Sequence, residues 1–204
     1  LLVAVACFGT LLPAADAAAA VTVTVEPPVH EQVVFDRDRP PRRLPTDAGE
    51  DSAACSNVFE IEANIASAVE VVSPTTVVVY PDRFDITTRL RSTIYLPARK
   101  AYELREHEEG HRAIGEHYYD QAESAAREAA EALRSRSFEA SGTDKAAAEQ
   151  AAGALVLAAL KDAFMQKTHA RSAAANARYD VITNHGRNAI TEADAIALAI
   201  AEDP

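Results

Sequence analysis

Leu96-Pro97-Ala98-Arg99-Lys100-Ala101-Tyr102-Glu103-Leu104-Arg105-Glu106-His107-Glu108-Glu109-Gly110-His111 separates two kinds of sequence. Upstream of Pro97, β-branched residues and prolines dominate. Downstream the chain is rich in Ala, Glu and Arg, with no further proline until Pro204. Proline removes a backbone donor and breaks helices, whereas Ala, Glu and Arg favour them. The order is therefore strands first and helices second, which predicts an α+β fold.

Working backwards from Pro97, Val21-Thr22-Val23-Thr24-Val25 alternates with the period-two pattern of a strand, and similar signals cover residues 58–61, 76–80 and 84–96. Residues 36–52, with Pro40-Pro41-Arg42-Arg43 and Asp47-Ala48-Gly49, read as a loop or linker. Working forwards, Leu104, Ile114, Tyr118, Ala122, Ala125, Ala129 and Ala132 recur at three- and four-residue spacing, predicting one helix over 99–138. His107 and His111 fall on its apolar stripe. After Ser141-Gly142, a second helix is expected from Thr143 or Asp144 to Ala177, with Leu155, Val156, Leu160, Phe164 and Thr168 on its core face. A short last helix starts at Thr191, whose hydroxyl and Asp194 form a capping box.

With 204 residues, 48% of them hydrophobic, the chain suffices for one substantial core, and a single domain is expected over 21–204. A formal charge of −11 argues against a nucleic-acid surface, which needs clustered Lys and Arg. Leu1-Leu2-Val3-Ala4-Val5-Ala6-Cys7-Phe8-Gly9-Thr10-Leu11-Leu12 is too short an apolar run to span a bilayer. With Ala15-Asp16-Ala17 after it, residues 1–20 read as a signal peptide, which implies a periplasmic or secreted protein without a transmembrane helix in the mature chain. The competing reading is a lipoprotein anchored through Cys7. Cleavage leaves Cys55 alone, hence no internal disulfide and an inert thiol.

Residues four apart on a helix are rotated by about 40° and displaced by about 6 Å, so His107 and His111 can aim two imidazole nitrogens at one point. That is the geometry of a zinc clamp, and Glu108 is placed to act as general base. The bland reading, a solvated helix with two incidental histidines, would bury two polar rings for no reason. His117 lies about 240° round the axis from His111 if the helix is unbroken, too far to share its metal. Tyr179-Asp180-Val181-Ile182-Thr183-Asn184-His185-Gly186 reads as a polar, turn-prone segment. From it His185 could approach the metal as third ligand, Asp180 could serve as an outer partner or itself as the third ligand, and Tyr179 could donate to an oxyanion or simply pack. His30 and His169 read as incidental.

Leu96-Pro97, the segment His107-Glu108-Glu109-Gly110-His111 and the downstream Tyr179-Asp180-x-x-Thr183-x-His185-Gly186 together resemble the bacterial family designated domain of unknown function 922, whose members are described as secreted zinc-dependent proteases. The resemblance covers residues 58–190. It implies a zincin-like fold, His107, His111 and His185 as Zn2+ ligands, and Glu108 as base. On that footing Ser92-Thr93-Ile94-Tyr95-Leu96 is the sheet edge on which a peptide substrate would add, an ordinary buried strand being the other reading. The expected function is an exported zinc-dependent peptidase acting on peptide or protein substrates. The alternative is a non-catalytic zinc-binding envelope or scaffold protein in which a fourth protein ligand closes the metal.

Overall fold

Strand β4 (Thr76–Pro97) is the element on which the rest of the sheet is laid. In a computed structural model that describes residues 20–45 and 53–201, the α+β architecture is observed, with a mixed five-stranded sheet preceding most of the helices. β3 (Ala54–Ser73) pairs antiparallel along nearly all of β4, as a hairpin turned at residues 74–75. A strand has two lateral edges, so the other three share the opposite edge of β4. They are β5 (Phe138–Ser141) antiparallel at residues 76–79, β1 (Val21–Val25) parallel at 84–88 and β2 (Val29–Phe35) parallel at 91–97. The signal-peptide and Cys7 readings, and the linker residues 46–52, lie outside the described residues.

Period-two alternation decides which face of the sheet is covered. Phe84, Ile86, Thr88, Leu90, Ser92, Ile94 and Leu96 of β4, with Phe59 and Ile61 of β3, are buried under the helices. Arg89 between them points the other way and pairs with Glu26 and with Glu62 of β3, both at 2.9 Å. The idea that residues 92–96 form a free sheet edge is corrected. Ser92–Tyr95 pair with β2 on one side and with β3 on the other, so that edge is already taken. β2, which carries His30, went unrecognised because Pro27, Pro28 and several polar residues hide its period; His30 Nε2 lies 3.5 Å from Glu116.

The long helix expected over 99–138 is two helices and a strand. α1 (Ala101–Tyr119) follows a short 3-10 turn at Ala98–Lys100, and α2 (Ala122–Arg134) follows a break at Asp120-Gln121. No Gly or Pro announces that break. Packing produces it, since the buried Tyr119 anchors its hydroxyl on the carbonyls of Glu26 and Thr88, and α2 lays its alanine face, Ala122 to Leu133, into the core. The second expected helix also divides. α3 (Lys145–Lys167), capped by the Asp144 side chain, ends where the Thr168 hydroxyl bonds the Phe164 carbonyl at 2.8 Å, and α4 (His169–Thr183) continues from there. Such back-bonding bends helices. Leu155 is exposed, while Ala148, Ala152, Val156, Leu160 and Phe164 form the actual core face of α3. α5 (Glu192–Ala201) begins at the expected Thr191–Asp194 box.

Candidate metal centre

The turn expected over residues 179–186 begins only at Asn184. Residues 179–183 are helical and extend α4 to Thr183, so Asn176 and Asp180 stand one turn apart on one face. Opposite them, His107 and His111 stand one turn apart on α1. Two helices thus present two i, i+4 pairs to each other.

Three donor atoms converge between those helices. His107 Nε2 and His111 Nε2 are 3.2 Å apart, and Asp180 Oδ1 lies 3.2 Å from the first and 3.1 Å from the second. Asn176 fixes the tautomer of His111. Its Nδ2 donates to the Ser172 carbonyl at 2.9 Å, which leaves Oδ1 to accept from His111 Nδ1 at 2.7 Å. With its proton on Nδ1, a neutral His111 turns the lone pair of Nε2 toward a carboxylate oxygen. Lone pairs repel at that distance, so the centre calls for positive charge, supplied by protons on the rings or by one cation.

The spacing suits either, since 3.1–3.2 Å is a hydrogen-bond length and also close to the donor separation around a small cation. Zinc bonds of about 2.0–2.1 Å in tetrahedral geometry put neighbouring donors about 3.3–3.4 Å apart. The three observed separations describe one face of such a tetrahedron to within a few tenths of an ångström. Two imidazoles and a carboxylate also form a donor set suited to zinc and its first-row neighbours.

The electrostatics follow from enclosure. Burial raises the Asp180 carboxyl, but the hydrogen bonds and charge of His107 and His111 outweigh it and hold Asp180 well below the usual carboxylate range. Burial lowers His111, yet the Asp180 and Asn176 bonds win and its imidazole is net raised. Glu108, also buried, has its carboxyl pushed up by desolvation against the pull of His111 and His107. Cys55 of β3 is held well above the ordinary thiol range by burial and by Glu108, consistent with an inert thiol.

Tyr179 packs behind the centre. Its ring stacks on His107 with centroids 5.0 Å apart and 14° between planes, and its hydroxyl is taken up by the Glu192 carboxylate of α5 and the His107 carbonyl. Gly110 is the condition of that packing, because a Cβ there would strike the Tyr179 hydroxyl. Asn57 of β3 holds the other end of the clamp, donating to the His111 carbonyl at 2.9 Å. His185 follows α4 on a left-handed turn, with Nδ1 3.4 Å from Asp180 Oδ1, and His107, Asp180 and His185 each offer a donor within 4.8 Å of the others. His117 lies elsewhere on α1, against Tyr118, and His169 sits edge-on to Phe59.

Asn176, Asn57 and Glu192 were not singled out from the sequence. Asn176 left one trace, an amide four residues before Asp180 inside a helix that favours neither residue.

The chain matches no family model, and no curated protein and no solved structure matches it significantly. The resemblance to domain of unknown function 922 is therefore corrected. What stands is a spatial cluster of histidines and an aspartate able to hold a metal ion.

Proposed function

We propose that this protein binds one zinc ion between α1 and α4, with His107, His111 and Asp180 as ligands, and that metal binding rather than turnover is its primary role. The observation that carries this reading is the triangle of donors, 3.1–3.2 Å on each side, with the Asn176 bond leaving the His111 Nε2 lone pair turned toward the Asp180 carboxylate. Asp180 replaces His185 as third ligand, because it already touches both α1 histidines. Asn176 orients His111, and Tyr179 backs the His107 ring. Among the described residues no helix is long and apolar enough to cross a membrane. An exported setting belongs to the same proposal and rests on the apolar run at residues 1–12.

The test is the metal content of the purified chain. One zinc per chain is expected in wild type, with loss in His107→Ala, His111→Ala and Asp180→Ala. Wild-type protein that takes up no zinc at micromolar concentration would refute the reading.

Glu108 favours a second reading, a zinc-dependent peptidase. A carboxyl that burial keeps easier to protonate, one residue from a ligand, is suited to carry a proton between water and a leaving amine. When bound, the cation would supply Lewis acidity beside it. Glu108→Gln that keeps zinc but abolishes cleavage of casein or small peptides supports this reading; zinc-loaded wild type without cleavage removes it.

A further inference from the structure

Three of the four histidine and aspartate groups around the centre are built in, and the fourth is not. His107 and His111 side chains are 10% and 13% exposed and belong to a packed helix, whereas the His185 side chain is 69% exposed and belongs to none. Even so, the backbone bends to bring His185 back. Asn184, His185 and Gly186 take φ of 47°, 54° and 77° in succession. The left-handed region is disfavoured for a residue with a Cβ, and here two such residues occupy it consecutively. The turn is tied down on either side. The His185 amide bonds the Asp180 carbonyl at 3.1 Å, the Arg187 and Asn188 amides both bond the Thr183 carbonyl at 2.9 Å, and the Asn188 side chain bonds the Ile182 carbonyl at 2.7 Å. Gly186 lies against the His107 ring.

We infer that His185 is a displaceable fourth ligand, which closes the metal at rest and yields its place to a small anionic or imidazole-bearing ligand. His185 Nδ1 lies 3.4 Å from Asp180 Oδ1, and the histidine offers a donor within 4.8 Å of His107, which puts it in reach of a cation held there. The strained turn holds the imidazole in reach, so coordination costs little further ordering. Exposure and the lack of a helix around it let the ring leave without disturbing α1 or α4. The three rigid donors keep the cation throughout. This rests on the three-donor zinc site proposed above and adds to it an exchange step, in which one donor leaves as another enters and no bond to the other three breaks.

Cobalt-substituted full-length protein and free imidazole test it. Wild type is expected to give the spectrum of four protein ligands. His185→Gly, with an unchanged far-ultraviolet circular dichroism spectrum, is expected to bind zinc about tenfold more weakly, to show a shifted cobalt spectrum, and to regain the wild-type spectrum on adding imidazole. It should also bind imidazole about tenfold more tightly than wild type, where His185 competes. Identical zinc affinity, cobalt spectrum and imidazole affinity in wild type and variant would overturn the inference while leaving the three-ligand site intact. Failure of the wild-type chain to take up cobalt or zinc would overturn both.

Discussion

Asn176 Oδ1 accepts a hydrogen bond from His111 Nδ1 at 2.7 Å, and through it α4 decides which nitrogen of a histidine on α1 is free to bind a cation. Partners of this kind commonly contribute 10- to 100-fold, as an order of magnitude, to metal affinity. Asn176→Ala should therefore weaken zinc binding by about that factor in a chelator competition, with little loss of fold. Asn176→Asp keeps an acceptor and should retain most of the affinity. Equal loss in both variants would mean that the amide serves packing instead.

Gly110 is a helix-interior glycine, which ordinarily costs about 1 kcal/mol relative to alanine. Gly110→Ala should nevertheless destabilise the protein, by about 1–3 kcal/mol in urea unfolding, because the new methyl meets the Tyr179 hydroxyl. Combining it with Tyr179→Phe should recover part of the loss, the ring carbon remaining close. A stabilised Gly110→Ala would contradict the observed approach of α4 to α1.

Proton competition sets the pH dependence of the centre. Asp180, held below its ordinary range, stays ionised throughout the neutral and mildly acid region, so the histidines govern metal release. Zinc affinity should fall on acidification, beginning above about pH 6.5 because the His111 imidazole is raised. The metal-free protein should behave differently. A raised His111 contributes stability that is present below about pH 6.5 and is lost as pH rises through its folded value. A depressed Asp180 contributes stability that is present above about pH 3.9 and is lost as pH falls through its lower folded value. Chemical denaturation with and without chelator should thus give stability profiles of opposite slope near neutrality.

Tyr119 provides the control. Its hydroxyl serves the Glu26 and Thr88 carbonyls, far from the donors, and Tyr119→Phe should cost about 1–2 kcal/mol of stability without changing zinc affinity. A variant that lost zinc as well would link the sheet to the site more closely than the geometry does.

What could be read from the sequence follows from the range of the forces involved. Local periodicity marked β1 and the β3 and β4 signals, the Thr191 box marked the last helix, and one helical turn brought His107 and His111 together. The breaks at Asp120-Gln121 and Thr168 escaped notice because tertiary packing makes them and neither position carries a glycine or proline. Asp180 and His185 are both legible as candidate partners for the α1 histidines, and both lie beside His107. Helical phase is what swings Asp180 onto the face opposite His111. Asn176 could not be found without knowing which helix lies across from α1.

His107 and Asp180 are 73 residues apart in the chain, and Cys55 is a free thiol. A cation held by both would tie α1 to α4 as a removable cross-link, restricting the unfolded chain much as a bridge across a long loop does. Stripping it should loosen α4 and α5 before the sheet, visible as faster amide exchange over residues 169–201 while β3 and β4 keep their protection. Metal supply would then govern how long the mature fold survives, as well as what it can bind.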